Sequence, residues 1–121
     1  MFTILMHLFT FLIANSSTAT YHPAKFVNAD SFANWVNERL YYPEYAVENY
    51  IQGKVTISFV VETNGYLSNI KVLEGVHPTI DQEVIRVVSM SPKWIPAKYN
   101  GKSIKIEYIF SVNFKITNEN T

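Results

Sequence analysis

Lys54 to Glu62 reads KVTISFVVE, with Val55, Ile57, Phe59 and Val61 on one face and Lys54, Thr56, Ser58 and Glu62 mostly on the other. A period of two marks a strand with one buried side. Thr63-Asn64-Gly65 follows, and Asn-Gly between two alternating runs predicts a hairpin because both residues tolerate positive φ. The returning strand runs from Leu67 to Glu74 with Ile70 and Val72 inward. Near the end of the chain, Lys102 to Ile116 (KSIKIEYIFSVNFKI) repeats the alternation, placing Ile104, Ile106, Tyr108, Phe110, Val112, Phe114 and Ile116 on one face. Fifteen residues extend about 50 Å, roughly twice the hairpin strands, so the reading predicts a last strand that overhangs its sheet.

Helical periods flank these runs. Asp30 or Ser31 can cap a helix whose Phe32, Trp35, Val36 and Leu40 form one stripe. Tyr41, Tyr42 and Pro43 break it, and Pro43 suits the first turn of a short second helix through Tyr50, closed by Gln52-Gly53. After Gly75, Pro78 and Thr79 open a third helix with Gln82 completing a capping box, Ile80, Val84, Val87 and Val88 inward, and a stop before Pro92. Ser91 to Ser103 reads as a long connection holding Pro92, Pro96 and Asn100-Gly101, with Trp94 as a core anchor. The order predicts an α+β domain: a three-stranded antiparallel sheet with two main helices packed on one face. Its expected core includes Trp35, Phe59, Val84, Val88, Trp94, Tyr108 and Phe110.

The 121 residues are 48% hydrophobic and 17% charged, with 10 Lys+Arg against 10 Asp+Glu, which fits one small globular domain and excludes a disordered tail or a polybasic nucleic-acid binder. With no cysteine, disulfides, thiolate metal sites and cysteine nucleophiles are excluded. Phe2 to Ala14 (FTILMHLFTFLIA) is nearly all apolar, and Asn15 to Thr20 (NSSTAT) supplies small residues, Ser17 and Ala19 matching the −3 and −1 positions of a cleavage site. Thirteen residues make a helix of about 20 Å against a hydrocarbon core of about 30 Å, so the run predicts an export signal, with a short uncleaved anchor or an incorrectly chosen start as alternatives. Residues 1–20 are thus the signal or anchor, and 25–121 the folded domain. His7 in the apolar run would matter only in a true transmembrane helix.

No catalytic pattern stands out. Glu44 and Glu48 share a helix face without another acid or a histidine nearby, His22 and His77 have no metal-site spacing, and no nucleophile elbow or phosphate loop is present. No enzyme activity, metal or cofactor is expected. Charge is nevertheless uneven: Phe26 to Glu83 carries three basic and eight acidic residues, Val84 to Ile116 six basic residues and one acid, Glu107. The last strand and its approach therefore favour an acidic partner.

Tyr42-Pro43-x-x-Ala46, Gly53-x-Val55, Phe59-Val60-Val61, Asn64-Gly65, Val72-Leu73 with Gly75, Pro78-x-x-Asp81, Lys93-Trp94-x-Pro96, Gly101 and Val112-x-Phe114 occur in order. Over about Leu40 to Ile116 the chain resembles the C-terminal domain of TonB-type energy transducers. The resemblance implies three antiparallel strands with two helices on one face. It also implies a periplasmic domain that docks the N-terminal plug segment of outer-membrane receptors and passes on force from a proton-driven inner-membrane motor. Docking in that family is by strand addition to the last strand, here Ile104 to Phe114, an edge that offers backbone groups to any extended partner. The residues so implied are Tyr42, Pro43, Ile104, Lys105, Glu107, Ile109, Ser111 and Asn113, and a homodimer through the same edge is a further expectation. The family's spanning helix and Pro-rich spacer have no counterpart: the roughly 17 residues from Asn15 to Ser31 reach ~60 Å at most, so motor contact is expected only with a longer N-terminus. A free periplasmic adaptor, or less readily a small ligand-binding or hydrolytic domain, are the alternatives.

Overall fold

The computed structural model describes the backbone of residues 2–4 together with residues 19–27 and 31–117. The rest of the apolar N-terminal run, with His7 and Ser17, and the alternative cap Asp30 lie outside the described residues. In chain order the elements are β1 (Phe2–Ile4), β2 (Tyr21–His22), α1 (Phe32–Arg39), α2 (Glu44–Glu48), β3 (Gly53–Val61), β4 (Leu67–Glu74), α3 (Pro78–Val88), β5 (Ala97–Tyr99), β6 (Lys102–Ile104) and β7 (Ile106–Phe114). No helix among the described residues is long and apolar enough to cross a membrane.

The protein is an α+β domain. Its large sheet is antiparallel in the order β1-β7-β3-β4, so the expected three strands form its body and β1 adds a fourth. Val55, Ile57, Phe59 and Val61 of β3 and Ile106, Tyr108, Phe110, Val112 and Phe114 of β7 face the same way. They form one core with Phe32, Trp35 and Val36 of α1 and with Ile80, Val84, Val87 and Val88 of α3. All seven expected core residues are buried, and Trp94 packs its indole within 5.0–5.7 Å of the Phe26, Phe32, Phe59 and Tyr108 rings.

The last strand departs from the expectation. It is two strands, broken at Lys105: β6 pairs with β5 in a second sheet of order β2-β5-β6, while the nine residues of β7 pair with all nine of β3, from Gly53 opposite Phe114 to Val61 opposite Ile106. At neither end does β7 overhang β3. Ile104 and Ile106 keep the period of two across the break, which is why the alternation hides it. The second sheet also carries the packing back past Lys25, since Tyr21 pairs with Tyr99 and Ala24 is buried.

The two Asn-Gly pairs exchange the roles expected of them. At Asn64-Gly65 only Gly65 has positive φ (+88°), and the Gly65 N–H donates to Glu62 O at 2.9 Å, so the turn is a longer loop. Gly65 cannot carry a side chain: a Cβ there would sit 2.1 Å from the Trp94 carbonyl oxygen, and the Trp94 N–H donates to Gly65 O at 2.8 Å. Asn100 and Gly101 both adopt positive φ (+49° and +82°) between Tyr99 and Lys102, the tight two-residue hairpin turn, inside the stretch expected to be a connection.

Two smaller corrections concern β4 and α3. Ile70 is half-buried, but Val72, opposite Ile57, remains 37% exposed because β4 is the sheet's outer strand. The cap of α3 is His77, whose ring accepts the Thr79 N–H, and Asp81, rather than Gln82, reaches back to accept the Val76 N–H at 3.0 Å.

Candidate docking edge

A β-strand presents alternate amides and carbonyls to each side, so a strand paired on one side is a template on the other. In β7 the inner side is spent on β3, and on the outer side β1 accompanies only Tyr108, Ile109 and Phe110. On that outer side no described strand lies beside Val112 to Phe114.

Among the described residues, two hollows border this edge. Tyr108, Ile109 and Phe110 form one wall of a cavity of about 350 Å³ completed by Ala24 to Phe26, Ser31, Phe32, Phe59 and Trp94. Tyr108 and Phe110 face the core whereas Ile109 faces the opposite way, so a cavity touching all three reaches the strand's rim. The Tyr108 hydroxyl donates to the Ala24 carbonyl at 3.1 Å and fastens the Ala24–Phe26 wall to β7. Burial pushes the Tyr108 phenol up to about 12, with the neighbouring Tyr21 adding to the shift, so Tyr108 is a neutral donor at physiological pH. At the other end a shallower hollow of about 190 Å³ lies among Asn37, Leu40, Tyr41, Tyr42 and residues 112–115.

The sequence-implied residues fall into three groups. Glu107, Ile109, Ser111 and Asn113 lie on β7, on the face away from the core; the Ser111 hydroxyl is 2.9 Å from that of Thr56 on β3. Tyr42 meets this strand's end, its ring 5.3 Å from Phe114 and edge-on, its hydroxyl donating to the Ile51 carbonyl; burial raises its pKa. Pro43 is the N-cap residue of α2 beside it. Ile104 and Lys105 are separate from the edge, Ile104 paired with Ala97 in the second sheet and Lys105 at the break.

One functional tie escaped the sequence reading. Glu83, 3% exposed, accepts two hydrogen bonds from the Arg86 guanidinium at 2.7 and 2.8 Å and a third from the Tyr41 N–H at 2.9 Å. Arg86 also lies over the Tyr41 ring at 5.4 Å. A buried carboxylate satisfied three times is rigid, so it holds the Tyr41-Tyr42-Pro43 turn against α3 and thereby sets the hollow at the end of β7. The sequence signals only the local half of this tie, an acid with Arg three residues on beside the apolar stripe of α3; the bond to Tyr41, 42 residues away, has no such signal.

Residues 38–116 match the family model described as Gram-negative bacterial TonB protein C-terminal. The chain belongs to this family. Two solved TonB C-terminal domains share its fold. That of Helicobacter pylori TonB (residues 179–285) is 15% identical with a TM-score of 0.56, the alignment covering 71% of this chain and 78% of that one. That of Pseudomonas aeruginosa TonB is 23% identical with a TM-score of 0.52, covering 86% and 92%. No curated protein sequence matches this TonB C-terminal domain.

Proposed function

We propose that this chain is the periplasmic docking domain of a TonB-type energy transducer, and that it binds an extended segment of an outer-membrane receptor by strand addition along the outer side of β7. It serves transport by binding and not by catalysis. The observation that carries the reading is β1 itself: Phe2, Thr3 and Ile4 lie antiparallel on Phe110, Ile109 and Tyr108, on the same side of β7 that the reading gives to the receptor segment. Backbone pairing supplies affinity and the bordering hollows supply selectivity, the usual division of labour in strand addition. Glu107, Ile109, Ser111 and Asn113 contribute backbone groups, while Tyr42 and Pro43 shape one end of the site. Residues 1–19 act as the export signal, and their removal after Ala19 clears β1 from the edge.

The test is to isolate the protein from the periplasm, sequence its N-terminus and add a peptide from the N-terminal plug segment of a TonB-dependent receptor. The expected first residue is Thr20, and hydrogen exchange should show new protection in alternate amides of β7. Retention of Met1 overturns the export reading, and protection that misses β7 overturns the docking one.

A further inference from the structure

We propose that the outward face of the second sheet, β2-β5-β6, rests on an anionic phospholipid surface. The proposal is separate from the β7 edge and does not depend on strand addition there.

Charge is sorted by position. Ile95 to Lys105 holds Lys98, Lys102 and Lys105 and no acid, and the segment 19–27 that pairs with it adds His22 and Lys25, again with no acid. Pairing gathers these residues. His22 lies opposite Lys98, and Lys98 opposite Ser103. Residues directly opposite in an antiparallel pair point their side chains to the same face. All three are exposed, whereas Ala97, Tyr99 and Ile104, which alternate with them, pack on the core. Lys105 is exposed just beyond Ile104 and stands diagonal to Lys98, within reach of a long side chain. Lys25 and Ile95 exchange both backbone hydrogen bonds, at 2.9 and 2.8 Å, and continue the row. Among the described residues no carboxylate forms an ion pair with Lys25, Lys98, Lys102 or Lys105.

The chemistry of this face selects lipid. The chain's two arginines, Arg39 and Arg86, lie on α1 and α3, so the face has no guanidinium fork with which to grip a single carboxylate or phosphate. Lysine ammoniums on flexible stems act as point charges, suited to a surface whose charge is spread out. Around Lys25, Ile95 is 51% exposed and Val27 44%. A bilayer interface takes up apolar side chains while its headgroups meet the lysines beside them, so burial and attraction add. A soluble polyanion would leave Ile95 and Val27 in water.

The test sediments the full chain with two kinds of vesicle, phosphatidylcholine alone and phosphatidylcholine with phosphatidylglycerol in equal parts. Phe2 to Ala14 carries no Lys, Arg, Asp or Glu, so whatever that run contributes is common to both, and the ratio of the two affinities is the readout. The anionic vesicles are expected to bind at least about tenfold more tightly at low salt, with the excess lost at high salt. Lys98→Gln with Lys105→Gln should remove most of the excess. Lys54→Gln with Lys71→Gln, an equal change of net charge on exposed residues of β3 and β4, should leave it, and circular dichroism should show both double variants folded. Equal binding of the two vesicles overturns the proposal, as does an equal loss in the two double variants. Polyglutamate that displaces the chain from anionic vesicles as effectively, charge for charge, as added phosphatidylglycerol vesicles assigns the face to an acidic macromolecule and overturns the lipid reading.

Discussion

The three-stranded body of the large sheet, β7-β3-β4, has two flanking strands built in opposite ways. β4 slips its register against β3 twice, between Thr56 and Ile57 and between Ser58 and Val60, and Asn69 within it adopts φ +50°. It exposes Lys71 and Glu74. β7 keeps nine consecutive pairs with β3 and buries every second side chain. Bulges and charges twist an edge and spoil it as a template, whereas a regular strand over a packed core preserves one. The sheet thus blunts one border and keeps the other serviceable.

The sharpest way to break this contrast is proline. It removes a backbone donor, and on a strand paired along one side only alternate residues donate outward. One of Ser111→Pro and Asn113→Pro, or a neighbour between Ile109 and Lys115, should abolish binding of a receptor-derived peptide while circular dichroism and melting stay close to the parent. Proline at outward-donating positions of β4 should leave that binding unchanged. If no β7 position loses binding with the fold intact, or if β4 prolines are as damaging to binding, the two edges do not differ as described.

Trp94→Ala probes the floor beneath the serviceable edge. Trp94 is buried among four aromatic rings, and its loss should cost about 3–5 kcal/mol of unfolding free energy, measurable by denaturant titration. A melting temperature within a few degrees of the parent would mean that β7 does not depend on this floor.

The smallest effect is at Tyr108. Its folded pKa of about 12 lies above the ordinary 10, so the stability gained by burying the neutral phenol is complete below about pH 10 and is lost as pH rises toward 12. Tyr108→Phe should lose about 1 kcal/mol at neutral pH, through the hydrogen bond to Ala24, and show a shallower fall in stability between pH 10 and 12. Identical alkaline profiles would show that Tyr108 does not tie the cavity wall to the edge.

Much of this contrast is legible in the sequence, because burial on one side of a strand imposes a period of two. The core faces of β3 and β7 and the stripes of α1 and α3 follow from it directly. The period is blind to partners, however. Ile104 and Ile106 continue it although they belong to different sheets, and Val72 obeys it although it stays exposed on the outer strand. Turn chemistry has the same weakness: both Asn-Gly pairs turn the chain, but whether both residues go left-handed depends on Trp94 pressing on Gly65 and on the register of Tyr99 with Lys102. At the candidate site, Ile109, Ser111 and Asn113 follow from strand parity and the family resemblance. The aromatic cavity and the Glu83 tie do not, since they arise where segments far apart in the chain cross.

The unbroken pairing of β7 with β3 has a mechanical meaning. A strand attached along the outer side of β7 and pulled along its own axis does not peel rung by rung from one end; the load is shared by many hydrogen bonds at once, in shear. The same geometry passes the pull to the nine β3 pairs in parallel. An interface with modest strength per bond can therefore resist a steady tug, yet open readily to a force applied across it at one end.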